Sequence, residues 1–411
     1  MIGAAALLGF ASQEVDLSVV AIEIYRLAEM PVLLAIPLFT FAGYLLGESK
    51  APDRLVRLTD ALLGWMPGGL ALVSLATCAL FTAFTGASGV TIVALGSLLY
   101  PALRRAGYRE RFSLGLVTTS GSLGLLFAPS LPLILYGVVA QQAAAGVPVR
   151  IDDLFLAGLL PGALMIVLLS AWSVWKGRER PFERGRFRWG EAWGAVRGAA
   201  WELPLPALVL GGIYSGTFAV SEAAAVTAAY VFLVVTLIRR EVPWARLPGV
   251  IREAMVMVGG ILIILGVSLA STNYTIDAQV PTRLFEAIRT HVESRWTFLI
   301  LLNGFLLVLG TLLDLFSALV IMVPILLPVA LGYGIHPVHL GIVFLANMQI
   351  GYFTPPVGMN LFIASYRFDR PVMELYRATL PFFFLLLAAV LVITYWPELS
   401  LFLLRRGAAS P

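Results

Sequence analysis

The chain has one cysteine, Cys78, in 411 residues. A lone thiol in apolar sequence excludes an intrachain disulfide and any cysteine-based metal centre. Histidine is nearly as scarce, at 291, 336 and 339. His336 and His339 have ligand spacing, but Pro337 between them marks a loop, so no metal ligation is expected there. Charged residues make up only 13%. The sole Asp-Asp pair, Asp152-Asp153, stands alone, whereas a Mg²⁺-dependent transferase needs clustered carboxylates. No Ser/His or Cys/His pair falls in apolar sequence, so an intramembrane enzyme is not expected. No phosphate-cradling glycine loop of P-loop type occurs, which argues against direct drive by ATP. No filter-like sequence suggests a channel.

Hydrophobic residues make up 59% of the chain, and mean hydropathy is +0.90. Apolar runs of about 15–25 residues recur to the C-terminus, the pattern of a polytopic all-α membrane protein. Residues 2–10 are apolar but lack a basic flank, and read poorly as a cleaved signal peptide. The net charge of +4 comes mostly from arginines in a few loops. That is a positive-inside signature, so the partner is the lipid bilayer and no nucleic acid is expected.

Glycines and prolines repeat at a fixed offset. Pro101 and Pro328, Gly107 and Gly334, Gly124 and Gly351, and Pro129 and Pro356 are each 227 positions apart. Paired, Gly/Pro-interrupted apolar segments in two halves of a chain point to the binding site of a secondary transporter. Short apolar segments flank the tips Thr85–Gly89 and Gly310–Asp314, which predicts two re-entrant hairpins, about 70–103 and 297–331. The pairs 113–127/132–142 and 339–353/358–365 predict two discontinuous helices. The expected organisation is an N-terminal apolar or interfacial segment over 1–29 and a first repeat over 30–142. Linking and scaffold helices follow over 143–258, with a basic loop at 176–199. The second repeat runs over 259–367, and one C-terminal helix over 368–411. Loop 104–111 carries Arg104, Arg105, Arg109 and Arg111, while its partner 331–338 has no Lys or Arg. Conversely, 141–152 holds only Arg150, and 367–379 holds Arg367, Arg370 and Arg377. Basic loops stay cytoplasmic, so equivalent loops are expected on opposite sides, as inverted-topology repeats require.

Oxygen-rich breaks are the candidate site. In Thr85-Gly86-Ala87-Ser88-Gly89-Val90-Thr91, glycines free backbone carbonyls, and Thr85, Ser88 and Thr91 add hydroxyls. Such oxygens suit a hard monovalent cation such as Na⁺; small residues that merely allow tight helix packing are the alternative. Asn347-Met-Gln-Ile-Gly351, followed by Thr354-Pro355-Pro356-Val-Gly358-Met-Asn360, is more specific. Two prolines end a helix and remove donors, and amides and hydroxyls stand ready beside the break. Asp314 is an intramembrane carboxylate, which is either functional or a helix cap. Glu222 has the same two readings.

Several stretches resemble the large membrane subunit of tripartite ATP-independent periplasmic (TRAP) transporters. They are Leu33–Phe39 with Ala42-Gly43, Pro67–Ala71, Phe84–Thr91, Gly211 through Ala225, Gly334–Gly341 and Asn347–Gly358. The resemblance implies an elevator-type fold of two inverted repeats in the bacterial inner membrane. It also implies Na⁺-coupled import of an organic acid, with sodium as the coupling ion and no cofactor. The implied partners are a small four-helix membrane subunit and a periplasmic substrate-binding protein. By the same resemblance, Thr85, Gly86, Ser88, Thr91, Asp314, Asn347, Gly351, Thr354 and Gly358 are candidates for sodium. Ser88, Pro129, Ser130, Pro355, Pro356 and Asn360 are candidates for substrate. The chain departs from the family pattern at Ala128-Pro129-Ser130 and at Val220-Ser221-Glu222. A stand-alone sodium/dicarboxylate symporter of similar architecture is the alternative function.

Overall fold

The computed structural model describes residues 18, 22, 25, 26, 29–66, 68–143, 148–177 and 187–407. The expected N-terminal segment 1–29 lies almost wholly outside these residues, as do Pro67 and the middle of the basic loop. Every regular element among the described residues is helical. Seven helices are long and apolar enough to cross a bilayer, with one further span if the bent pair Glu110–Leu126 and Leu131–Ala143 counts as one.

The elements run as α1 Ala35–Glu48, α2 Ala51–Leu63, α3 Gly69–Thr85, α4 Ser88–Arg105, α5 Glu110–Ser120 and α6 Leu131–Ala143. Next come α7 Ile151–Gly177, α8 Trp189–Gly198, α9 Pro204–Tyr214, α10 Val220–Phe232 and α11 Leu247–Asp277. The chain continues with α12 Val280–His291, α13 Arg295–Leu312, α14 Leu315–Gly332, α15 Pro337–Gly351, α16 Met359–Phe368, α17 Val372–Tyr395 and α18 Glu398–Gly407.

Helices α3/α4 and α13/α14 flank the two predicted tips, and α5/α6 and α15/α16 flank the two predicted breaks, the first of which bends the chain by 43°. Hairpin helices α13 and α14 are 18 residues each, about 27 Å at 1.5 Å per residue, which is longer than their apolar runs suggest. The C-terminal region makes two helices, α17 and α18, rather than the single one expected. The chain leaves α17 at Trp396-Pro397, where proline removes a helical donor. The basic loop also contains a helix, α8.

Helix starts and stops reproduce the offset of 227. α4 and α14 begin at Ser88 and Leu315, and α5 and α15 at Glu110 and Pro337. The turns between them use Gly107 and Gly334, with φ of 79° and 69°. That conformation costs glycine nothing sterically. Packing repeats as well. A Cβ on Gly124 would lie 2.3 Å from the Ala79 carbonyl and 2.4 Å from the Ala83 nitrogen on α3. A Cβ on the equivalent Gly351 would lie 2.6 Å from the backbone of Gly310 on α13, and Gly310 is the equivalent of Ala83. Small residues allow this approach where apolar burial against lipid supplies little drive.

Contacts also exchange between halves. α4 packs on α16, and α14 packs on α6; α5 packs on α17, and α15 on α7. Equivalents even touch each other, with Ser122 Oγ 3.3 Å from the Gln349 carbonyl oxygen. One large apolar core spans both halves, and a smaller one joins α1, α9, α10 and the start of α11.

Candidate functional site

The tip of the first hairpin is tied to its own broken helix. Gly86 ends α3 at φ 64°, donating its N–H to the Thr82 carbonyl at 2.7 Å, a left-handed helix cap. The Thr82 hydroxyl donates to the Gly121 carbonyl at 2.8 Å and lies 2.7 Å from Thr91 Oγ1. With the Thr82 proton committed, Thr91 is the donor of that pair. Thr85 is fully buried, and its hydroxyl reaches only the Ala87 carbonyl, at a long 3.5 Å. Gly43 of α1 closes over it, since a Cβ there would sit 2.6 Å from Thr85 Cα.

Ser88, the first residue of α4, crosses to the other repeat. Its hydroxyl donates to Asn360 Oδ1 at 2.7 Å. Asn360 is fully buried at the start of α16, and its Nδ2 has no acceptor among the described residues. A buried donor without a partner is costly, so this amide suits an acceptor supplied from outside the chain.

The second tip is bound to the second break by backbone groups. The Leu315 N–H donates to the Tyr352 hydroxyl at 2.7 Å. The Gly358 N–H donates to the Thr311 carbonyl at 3.2 Å, and the Asn360 N–H to the Tyr352 carbonyl at 2.9 Å. Asp314 caps α14, with Oδ2 accepting the Ser317 N–H at 3.0 Å. The Thr354 hydroxyl donates to the Ile350 carbonyl within its own helix end at 2.8 Å.

The two proline breaks differ in burial. Pro129 and Ser130 are buried, and Ser130 donates to the Leu125 carbonyl at 2.5 Å. Pro355, Pro356 and Val357 are exposed, and the Tyr376 hydroxyl donates to the Pro356 carbonyl at 2.5 Å. The peptide bonds Ala128–Pro129 and Pro355–Pro356 are both cis.

Two candidates stand elsewhere. Asn347 lies one turn below Gly351. There Nδ2 donates to Asn303 Oδ1 at 2.7 Å and to the Val343 carbonyl at 2.8 Å. Thr394 also donates to Asn303 Oδ1, at 3.1 Å, making a buried polar cluster between α13, α15 and α17. Asn347 Oδ1 has no donor among the described residues. Glu222 is exposed and accepts the Ala219 N–H at 2.9 Å, capping α10 away from the breaks.

The structure adds residues the sequence did not single out: Thr82, Gly121, Tyr352 and Asn303. Gln349 is fully buried, with Oε1 unpartnered and Nε2 only 3.6 Å from Met165 Sδ. Its signal was an amide inside an apolar helix. A further cluster lies apart, where Arg54 of α2 bonds Glu202 at 2.5 and 2.9 Å and also bonds Glu241.

The ends of α3, α5, α13 and α15 and the starts of α4, α6, α14 and α16 therefore gather at one locus. Helix C-termini leave carbonyls for a cation, and helix N-termini present partial positive charge to an anion. Among the described residues, no Lys or Arg side chain bonds the groups named in this gathering.

The fold and its paired breaks define a polytopic membrane protein of the secondary-transporter type. Among solved structures, the Alcanivorax borkumensis YdaH transporter aligns with a TM-score of 0.62 at 15% identity, covering 92% of this chain and 87% of that one. The chain belongs to the family described as "Tripartite ATP-independent periplasmic transporter, DctM component", which matches residues 1–399. It is thus a multi-pass inner-membrane protein of a family of transporter permeases. The C4-dicarboxylate TRAP transporter large permease protein DctM of Rhodobacter capsulatus is 35% identical over 404 residues, 95% of this chain and 91% of the relative. The isethionate TRAP transporter permease protein DctMQ of Oleidesulfovibrio alaskensis is 35% identical over 373 residues. That match takes in 90% of this chain, which spans 58% of the relative.

Proposed function

We propose that the chain is the large permease subunit of a sodium-coupled secondary transporter that imports an organic acid by an elevator motion. A periplasmic binding protein delivers the substrate, and a small four-helix membrane subunit braces the scaffold. The observation that carries this reading is the Ser88–Asn360 bond. It joins the tip of one hairpin to the break of the other repeat, beside a buried amide donor with no acceptor. The Thr85 and Ser88 hydroxyl oxygens, and the second lone pairs of the Gly351 and Gly358 carbonyls, which already accept the Thr354 and Leu361 N–H groups, offer oxygen to Na⁺. The Asn360 Nδ2 and the convergent helix N-termini offer donors to a carboxylate. The relatives' names carry anionic cargo, C4-dicarboxylate and isethionate, which this donor set suits.

The test is uptake into proteoliposomes holding this chain and the small subunit, with and without the binding protein. Full-rate uptake by the chain alone promotes the stand-alone symporter. Ser88→Ala leaves both ends of a buried amide unpaired, which costs about 1–3 kcal/mol. The Na⁺ concentration for half-maximal uptake is expected to rise roughly 5- to 150-fold. An unchanged Na⁺ dependence at normal expression returns the tips to a packing role.

A further inference from the structure

A second cationic site lies outside the breaks. A cavity of about 290 Å³ opens between the start of α5, the end of α7 and the start of α17. Among the described residues its lining includes Arg109, Arg111, Lys176 and Arg377, and no acidic residue. These cations come from three separate segments, each of which the arginine pattern places at the cytoplasmic face. None of the three guanidinium groups has a carboxylate or hydrogen-bond partner among the described residues. Glu110, the nearest acid on α5, is engaged by Arg370 and by the Tyr100 hydroxyl at 3.0 Å. The ammonium of Lys176 lies 5.2 Å from the Trp172 ring and 4.8 Å from the Trp175 ring. The Trp172 indole nitrogen is buried without an acceptor.

Topology alone requires basic loops, but not their convergence on one concavity beside an idle indole donor. The larger cavity, about 800 Å³ beside α2, makes the contrast. There Arg54, Arg188 and Arg239 already hold Glu202, Glu241, Glu191 or the Gly198 carbonyl, leaving little field for an anion.

We propose that the smaller cavity binds the phosphodiester headgroup of an acidic phospholipid from the cytoplasmic leaflet. The chemistry required is a phosphate anion. The apolar side of the cavity favours a lipid over free phosphate. Phe112, Trp172, Pro381 and Phe382 form its wall. Leu380 and Phe384, 50% and 60% exposed, continue the Arg377 row along α17 as a track for an acyl chain. Basic pockets between helices on the cytoplasmic side are a recognised form of headgroup site.

The full chain in neutral detergent is titrated with phosphatidylglycerol, phosphatidylcholine or inorganic phosphate, reading thermal midpoint and bound lipid by native mass spectrometry. Phosphatidylglycerol is expected to bind and raise the midpoint, while the other two do neither. Joint Arg109→Gln, Arg111→Gln and Arg377→Gln substitution is expected to weaken binding about fivefold per arginine, about 100-fold in all. An equal loss of charge at exposed Arg105, Arg252 and Arg283 is expected to leave it within twofold. Trp172→Phe keeps the wall and is expected to weaken binding severalfold. Equal response to phosphatidylcholine, an equal effect of the control triple, or saturation by inorganic phosphate would each overturn the assignment. The lipid comparison on the unaltered chain decides the matter even where the triple variant fails to fold.

Discussion

Gly351→Ala adds one methyl group where α15 meets the second hairpin. The new Cβ would stand 2.6 Å from Gly310 Cα and C and 2.9 Å from its oxygen. Carbon contacts settle near 3.5–4.0 Å, so α13 must withdraw by about 1 Å. The obstructing atoms are backbone, so no rotamer change relieves the clash. Overpacking of this kind costs about 1–3 kcal/mol. The displaced segment runs into Thr311, whose carbonyl accepts the Gly358 N–H, so the strain reaches the break directly. The expected outcome is a lower thermal midpoint and a fall in initial uptake rate of tenfold or more. Gly304→Ala, on the facing helix α13, is the control. A Cβ there meets nothing within 4 Å, and alanine favours a helix over glycine by about 1 kcal/mol. Its midpoint is expected to hold or rise, with uptake unchanged. If the two variants behave alike, the interlock of Gly351 with Gly310 does not organise the site.

Two further outcomes are expected. Arg54→Met strands Glu202 and Glu241, whose side chains are 5% and 8% exposed; breaking such a group costs about 3–5 kcal/mol. Burial pushes the Glu241 carboxyl up, but hydrogen bonds from Arg54 and the Lys50 N–H outweigh it and hold the group below its ordinary value. The intact chain therefore loses this stabilisation as pH falls through the lowered Glu241 value. In Arg54→Met the bonds that lower Glu241 are lost and burial raises it instead, so that variant gains stability as pH falls through the raised Glu241 value. Parallel slopes in thermal midpoint from pH 6 to 4 would contradict the assignment. For topology, single cysteines at Ala106 and His336 in a Cys78→Ala background are labelled with an impermeant maleimide. His336 is the probe of loop 331–338 because it is exposed, whereas a cysteine at Gly334 would be strained at φ 69°. Inverted repeats require labelling of intact cells at 336 and only of opened cells at 106; same-side labelling refutes them.

The helical architecture was legible because its interruptions are written in residues that cannot hide. Proline removes a donor and glycine permits a left-handed turn, so Pro129, Pro356, Gly107 and Gly334 marked breaks and turns at one offset, and helix starts follow the same offset. Partners across the halves were not legible. Ser88 and Asn360 are 272 positions apart, and no local pattern couples a hydroxyl to an amide at that range. Asn347 shows a second partner of this kind. It shares a motif with Gly351 and the same helix face, yet four residues along a helix is about 6 Å, and its amide nitrogen bonds Asn303 of α13, 44 positions away.

The arginines at 54 and 283 show where repeat logic stops. Both sit in the matched strings Pro52-Asp-Arg54-Leu55 and Pro281-Thr-Arg283-Leu284, on amphipathic helices α2 and α12. Arg54 is 5% exposed and paired twice, whereas Arg283 is exposed. The difference is not in the helices but in what each meets. Glu202 and Glu241 come from the segment between the repeats, which exists once. A duplicated element therefore acquires a unique partner in one copy only, and the buried ion group pins α2 to the linking helices. Symmetry locates the breaks, where both copies supply glycine and proline at the same offset.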